Sequence, residues 1–324
     1  MNTPLKLSLF GLGLAAVFAA SLGVGHLAGP AGDNLDHTPD ADHGTHATPS
    51  PELPAQVPGG LQVAQDGYRL QPLTAALSTT AAQPMRFTII GPDGRPVTDY
   101  TPTHGRDLHL IVVRRDLTGF QHVHPSRGAD GIWEIPVQAT AGAGQYRLFA
   151  DFRPAALDSA LTLGVDLPAA GTYEPQPLPA ATRTATVDGY TVALDGDLVP
   201  GTSSKLTLTV TEDGVPVTDL QPYLGAYGHL VALREGDLAY LHVHPDGEPG
   251  DGRTPAGPQI VFHTEVPSAG AYRLFLDFQH GGVVRTAAYT ATAAPVPQQA
   301  PTGGTRAPTA PAPSTGTHGH TGAH

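Results

Sequence analysis

Six histidines stand in two sets of three that share one spacing. Within each set, twelve residues separate the first histidine from the second, and one residue separates the second from the third. The sets are His109, His122 and His124, and, 120 positions further on, His229, His242 and His244. Imidazole nitrogen is a common ligand of transition-metal ions, so three histidines that converge can hold one ion. The spacing therefore predicts a metal site in each set.

The histidines belong to a longer internal repeat. Residues 93–125 align with residues 213–245 without a gap, and 15 of these 33 positions are identical. The repeat returns after the histidines, where residues 144–149 and 270–275 both read Gly-x-Tyr-Arg-Leu-Phe. Two copies that differ at more than half of their positions and still keep all three histidines indicate a site and not a packing accident.

A predicted β-hairpin places the histidines. In the second copy, a two-residue turn within residues 235–238 pairs residues whose numbers sum to 473. His229 then faces His244, and His242 faces Val231. Because side chains alternate along a strand, these histidines share one face of the hairpin, and directly opposed β-carbons are about 4.5–5.5 Å apart. The first copy repeats this pairing, so each copy is expected to gather its own three imidazoles.

Each copy also offers a different candidate for a fourth ligand. His104 in the first copy aligns with Leu224, and His280 in the second copy aligns with Pro154. The chain has no cysteine, and Met85 is its only methionine after the first residue, so imidazole and carboxylate must provide the ligands. Such ligands favour Cu(II) or Zn(II) as the bound ion. The predicted metal ligands are His104, His109, His122, His124, His229, His242, His244 and His280.

Composition excludes several classes of function. The net charge of −12 argues against a nucleic-acid partner, because phosphate binding requires a basic face. The lack of cysteine excludes disulfides, thiolate metal sites and cysteine nucleophiles. The sequence shows no nucleophile–base pair, so we expect that the protein is not an enzyme.

The ends of the chain indicate export. Residues 7–25 are uncharged and mostly apolar, and Lys6 precedes them. This pattern predicts a signal anchor or a cleaved signal peptide over 1–27, with the later residues outside the cytoplasm. The protein is then single-pass in the membrane or, if cleaved, secreted. Residues 28–60 and 294–324 are rich in Pro, Gly and Thr, which predicts a disordered linker and a disordered tail that contains histidines.

Between these ends the sequence predicts an all-β protein. Short runs rich in Val, Ile, Leu, Thr and Tyr are separated by Gly, Pro and Asp, and no amphipathic helix of useful length interrupts them. We expect two tandem immunoglobulin-like β-sandwich domains, over 61–168 and 183–293. The segment 169–182, rich in Pro and Ala, is expected to space them as a semi-rigid linker.

Several motifs resemble known exported proteins. The Gly-x-Pro-Val-x-Asp turns at 94–99 and 214–219 resemble the opening of FixH-like and YtkA-like immunoglobulin-type domains. The strings at 223–230, 239–245 and 269–275 are similar to exported or membrane-anchored bacterial proteins described as heavy-metal-binding or left without a described role. The resemblance covers residues 61–293 and implies a tandem immunoglobulin-like fold outside the cytoplasm.

Together these features predict a membrane-anchored, extracytoplasmic protein that binds Cu(II) or Zn(II) for buffering, delivery or sensing. Its expected partners are the metal ion, the membrane and other cell-envelope proteins. The alternative is a structural or adhesive module that binds a protein or a glycan, with histidines that only support the fold.

Overall fold

The computed structural model describes residues 57–294. The expected signal segment 1–27, the expected linker up to residue 56 and the expected tail from residue 295 lie outside this range. Within it the secondary structure is β throughout, as predicted. The described range also holds no helix of the length and apolarity that a bilayer crossing needs.

The first module contains two antiparallel sheets. Its strands are β1 (Ala64–Gln65), β2 (Tyr68–Pro72), β3 (Gln83–Ile90), β4 (Leu108–Arg114), β5 (Gln121–Val123), β6 (Ser126–Arg127), β7 (Ile132–Val137), β8 (Gly144–Phe152) and β9 (Leu161–Ala169). One sheet has the order β1-β2-β3-β7-β6, and the other has the order β5-β4-β8-β9.

The second module repeats this plan with one difference. Its strands are β10 (Thr184–Val187), β11 (Tyr190–Asp195), β12 (Ser203–Glu212), β13 (Val215–Pro216), β14 (Gly228–Arg234), β15 (Tyr240–Pro245), β16 (Gln259–Glu265), β17 (Gly270–His280) and β18 (Val283–Ala293). They form one continuous order, β10-β11-β12-β16-β15-β14-β17-β18, with β13 paired to β12. Strand β15 is the link, because it pairs with β14 on one side and with β16 on the other.

The strand order and one local motif make both modules immunoglobulin-like. In the first module, β2-β3-β7-β6 and β5-β4-β8-β9 follow the two-sheet order of that fold. Each module also has a tyrosine corner, near the start of β8 in the first and of β17 in the second. Tyr146 Oη donates to the Gly142 carbonyl at 2.8 Å and accepts from Ala141 N–H at 3.1 Å. Tyr272 Oη donates to the Ser268 carbonyl at 2.9 Å.

Each sandwich encloses its own core. Strand β4 contributes Leu108, Leu110 and Val112 to the first core, and β14 contributes Leu230 and Ala232 to the second. Aromatic side chains fill both cores because they bury the largest apolar area per residue. They include Phe87, Trp133, Tyr146 and Phe152 in the first core and Phe262, Tyr272, Phe278 and Tyr289 in the second.

The two modules pack face to face and share a third core. The residues of β4 that alternate with the first core point to the second module, so this strand is buried on both faces. The third core consists of Ile111, Val113, Leu117 and Phe149 from the first module and Val231, Leu233, Leu238, Tyr240 and Phe275 from the second. The expectation of spaced modules is therefore wrong, because outward-facing apolar residues on both sheets must be covered.

The shared core has approximate two-fold symmetry. The Phe120 ring stacks on the Phe275 ring with centroids 3.9 Å apart, and the Phe149 ring lies against the Tyr240 ring at 5.3 Å. In the repeat, Phe120 corresponds to Tyr240, and Phe149 corresponds to Phe275. Each contact is therefore matched by the contact of its repeat partners, as in the interface of a symmetric dimer.

The segments expected to be linkers run along the modules. Gly59 pairs with Tyr240, and the Gly60 carbonyl accepts from Arg147 Nε at 3.1 Å. A β-carbon on Gly164 would lie 2.0 Å from that carbonyl oxygen, so the close approach requires glycine there. Between the modules, Leu178 packs against the third core. Ordered structure thus extends beyond both domain boundaries expected from composition.

Candidate metal centre

The hairpins that carry the histidines have the predicted register. Ile111 pairs with His122 in the first module, and Val231 pairs with His242 in the second, so paired numbers in the second sum to 473. The turn is longer than predicted. Arg234 N–H bonds to the Ala239 carbonyl, which leaves four residues in the loop and not two. The register is unchanged because each strand contributes one of the two extra loop residues.

Three histidines of the first module converge on one point and can hold a metal ion. His109 lies on β4, His122 on β5, and His124 directly after β5. The Nδ1 atom of His109 is 3.1 Å from Nε2 of His122 and 3.1 Å from Nε2 of His124. The three ligand atoms lie within 4.8 Å of one another. Nitrogen atoms around a tetrahedral ion with bonds of 2.0–2.1 Å are about 3.3 Å apart, so the two separations of 3.1 Å fit such an ion.

Hydrogen bonds outside the cluster fix the orientation of two rings. His109 Nε2 donates to the Thr103 carbonyl at 2.9 Å, and His122 Nδ1 donates to Asp277 Oδ2 at 2.8 Å. A neutral imidazole carries one proton, so these bonds leave the lone pairs on His109 Nδ1 and His122 Nε2. Two lone pairs that face each other at 3.1 Å repel unless a cation or a proton lies between them. This arrangement is the one a metal ligand pair requires.

Asp277 comes from the second module. Asp277 lies on β17, where it pairs with His229 of β14, and it is only 4% exposed. Its second oxygen, Oδ1, accepts from Thr286 Oγ1 at 2.5 Å. Histidine ligands of metals commonly donate their other N–H to a carboxylate in this way, which sets the ring orientation and raises the basicity of the ligand nitrogen.

Further rings of both modules surround the trio. His229 of the second module has its ring centroid 6.5 Å from His109 and 6.2 Å from His122. Its Nε2 donates to the Tyr223 carbonyl at 2.8 Å, just as His109 bonds to Thr103. The rings of His109, His122, His124 and His229 therefore form one cluster at the module interface, where the sequence predicted a separate site in each module.

Burial keeps two of these rings neutral. Burial lowers the pKa of His124 to about 3, and the neighbouring His122, His109 and Arg106 lower it as well. Burial also lowers the pKa of His229 to about 3, against the bond to the Tyr223 carbonyl, which raises it. Both rings are neutral at physiological pH, and only the neutral ring can donate a lone pair to a metal ion.

The two candidate fourth ligands lie in different places. The His104 ring is 5.3 Å from His229 and 6.1 Å from His109, so this residue borders the cluster. His280 contacts neither, because it binds Tyr190 Oη through Nδ1 at 2.7 Å and Asp219 Oδ1 through Nε2 at 3.1 Å. It lies an odd number of residues after Asp277 on β17, so alternation turns it to the opposite face of the sheet.

The side chains of His242 and His244 are outside the described part of the structure. Their backbone is described, and His244 pairs with His263 of β16. The sequence offers Asp151 and Asp277 as carboxylate acceptors for an imidazole N–H, and in the structure Asp277 accepts from His122. The repeat contained one signal for this role, since both copies carry Asp at this position, but the sequence did not show that the carboxylate would act on the other module.

Fold and site together define a tandem immunoglobulin-like protein with a histidine cluster that can hold a metal ion. The chain belongs to the family described as "Domain of unknown function (DUF8832)", whose model matches residues 62–170 and 185–295. No curated protein matches the chain.

The chain is also similar to several solved structures. They include Escherichia coli alpha-2-macroglobulin activated by porcine elastase, with 14% identity, coverage of 71% of this chain and 20% of that chain, and a TM-score of 0.23. For Yersinia pseudotuberculosis InvD the identity is 14%, the coverage is 73% and 61%, and the TM-score is 0.25. For a chimeric titin Z1Z2-Z1Z2 tandem the values are 13%, 69% and 97%, and 0.17. The chain spans about a fifth of the length of the first and about three fifths of the second.

Proposed function

We propose that the protein binds a transition-metal ion, Zn(II) or Cu(II), through His109, His122 and His124. The observation that carries the proposal is the convergence of their three ring nitrogens, with His109 and His122 donating their protons away from the common point. Three imidazole nitrogen donors without sulfur suit these borderline ions better than Cu(I), Mg²⁺ or Ca²⁺.

The alternative of structural histidines explains only part of the cluster. The bonds from His109 and His229 to backbone carbonyls are those expected of rings that only support the fold. They do not account for His122, whose ring is held by a buried carboxylate and points its other nitrogen at His109. Ligation of an ion accounts for both features.

The biological role that we propose is buffering, delivery or sensing of the ion outside the cytoplasm, and not catalysis. The apolar segment at 7–25, preceded by Lys6, supports export with retention in the membrane, or secretion after cleavage. The resemblance of the Gly-x-Pro-Val-x-Asp turns to exported FixH-like and YtkA-like domains supports the same compartment. Other proteins of the cell envelope are the partners that this location suggests.

The number of bound ions tests the proposal. Histidines outside the described range would add weak binding, so the assay uses the full chain with these residues changed to Gln. They are His26, His37, His43, His46, His318, His320 and His324. After incubation with Zn(II) and gel filtration at neutral pH, elemental analysis should find roughly one ion per chain for one tetrahedral site. A second ion would extend the proposal to the repeated set His229, His242 and His244.

Two single variants locate the ion. His124→Ala should lose the retained ion, because one of three ligands is removed, whereas His280→Ala should keep it. His280 is the matched control, since it is a histidine with the same chemistry that contacts Asp219 and Tyr190 away from the cluster. Circular dichroism checks that both variants fold. Absence of retained Zn(II) and of retained Cu(II) in the parent chain would refute the proposed function.

A further inference from the structure

We propose that Asp277 of the second module is a positioning residue for the metal centre, so that the affinity for the ion depends on the docking of the two modules. This inference rests on the proposed function and adds a means of regulation to it. It makes the second module part of a site whose ligands belong to the first.

The contact between His122 and Asp277 joins two buried side chains. Nδ1 of His122 and Oδ2 of Asp277 are 2.8 Å apart, and the side chains are only 6% and 5% exposed. The hydroxyl of Thr286 fixes the other carboxylate oxygen at 2.5 Å. With both oxygens bonded and little access to water, the carboxylate has one orientation in which to receive the His122 proton.

This orientation determines which nitrogen of His122 can bind an ion. If the proton moved to Nε2, the nitrogen that faces His109 would be a donor and could not be a ligand. The carboxylate keeps the proton on Nδ1 and strengthens Nε2 as a ligand. Loss of such outer partners typically lowers the affinity for the metal about 10- to 100-fold.

Docking brings these two residues together. His122 and Asp277 are separated by 155 positions in the chain. Phe120 and Phe275, two residues before each of them, stack with centroids 3.9 Å apart. Because side chains two residues apart share a face, this stack lies beside the His122–Asp277 bond and sets the separation of the strands that carry it.

The coupling must act in both directions. If docking raises the affinity for the ion, then the ion stabilises docking by the same free energy. An exported protein built in this way converts the presence of an ion into a fixed arrangement of its two modules, which is a basis for sensing.

The test compares Asp277→Asn with Asp219→Asn in the full chain with the outer histidines replaced. Asp219 is the matched control, because it also contacts a histidine ring nitrogen, that of His280, at 3.1 Å. Zn(II) affinity is measured by competition with a chelator, and the Co(II) absorption spectrum reports the ligand geometry. Asp277→Asn should lower the affinity about 10- to 100-fold and change the spectrum, and Asp219→Asn should change neither.

A second variant weakens the docking of the two modules without changing any group that contacts the metal ligands. Phe275→Leu weakens the stack on Phe120 and should also lower the affinity, by a smaller factor. Trp133 fluorescence reports the fold of the first module, since this residue is the only tryptophan and lies in its core. If Asp277→Asn does not fold, the Zn(II) affinity of Phe275→Leu decides whether docking affects the metal centre.

The two proposals fail in different ways. A parent chain that binds neither Zn(II) nor Cu(II) contradicts the proposed function. A parent chain that binds, together with variants at 277 and 275 that bind equally well and give the same spectrum, overturns the inference and leaves the proposed function intact.

Discussion

Asp151 and Asp277 occupy equivalent positions in the two modules, and the modules differ in one hydroxyl donor near these carboxylates. Each lies opposite the first histidine of its set, Asp151 opposite His109 and Asp277 opposite His229. Each also reaches across the interface. Asp277 accepts from His122, whereas Asp151 accepts from the Tyr240 hydroxyl at 3.5 Å. Tyr240 stands where the first module has Phe120, so one extra hydroxyl places a new donor beside one carboxylate. The repeat thus conserves both carboxylates, while the exchange of Phe120 for Tyr240 adds a hydroxyl donor for Asp151.

The turns of the two hairpins also differ, in the burial of an Arg–Asp pair. Arg114 bonds Asp116 through two nitrogens, and both side chains are almost fully buried, at 4% and 6% exposure. In the second module Arg234 bonds Asp237 in the same way, but these side chains are 20% and 40% exposed. The two ion pairs have the same chemistry, so their different burial should give them different contributions to the free energy of unfolding.

The largest expected effect comes from removing the aspartate of each turn. Asp116→Ala should lower the free energy of unfolding by about 3 kcal/mol, because it leaves the Arg114 charge buried without its counterion. Asp237→Ala should cost less than about 1 kcal/mol, because water screens the more exposed pair. Urea denaturation of both variants measures the difference. Equal costs would show that the burial of the first turn does not control the energy.

The same pair has a dependence on pH. Burial alone would raise the pKa of Asp116, but hydrogen bonds from Arg114, Gln176 and Thr118 hold it at about 2. The stabilisation is therefore complete above the ordinary value of 3.8 and is lost as the pH falls towards 2. In Asp116→Ala this part of the acid destabilisation should be missing.

A smaller effect compares the two tyrosine corners. Tyr146→Phe should cost about 2 kcal/mol, since it leaves both the Gly142 carbonyl and the Ala141 N–H without the hydroxyl that they share. Tyr272→Phe should cost about 1 kcal/mol, since its hydroxyl makes one described bond to backbone, at Ser268. Thermal unfolding with intact far-UV circular dichroism distinguishes them. A larger cost in the second module would contradict this reading.

The smallest expected effect concerns a property that the two modules share, the lowered pKa of one histidine in each. The pKa values of His124 and His229 are both about 3 in the folded chain, and burial is the largest cause for each ring. Below the unfolded value of about 6.5 the unfolded chain binds more protons, so the metal-free protein loses stability as the pH falls. Between pH 8 and pH 5.5 each ring should contribute a loss of about 1.4 kcal/mol.

Urea denaturation in the presence of a chelator measures this loss. His124→Leu and His229→Leu should each remove about half of the part that these two rings contribute. A change in only one variant would mean that the other ring titrates near its ordinary pKa in the folded state.

Much of the fold was readable from the sequence. Short β-rich runs separated by Gly, Pro and Asp predicted the all-β class, and strands are the regular secondary structure of the described residues. The hairpin register was also correct, because alternation and a central turn fix which residues face each other. The tight turn at 235–238 was wrong by two residues, since several loop lengths satisfy one register.

The candidate site was only partly readable. The sequence by itself determined that His109, His122 and His124 share a face of one hairpin, because a period of two depends on local backbone geometry alone. It did not determine what covers that face. The docking of the second module and the orientation of His122 by Asp277 were decided by tertiary structure. Contacts between surfaces far apart in sequence depend on how two complete sheets pack, and local patterns do not contain that information.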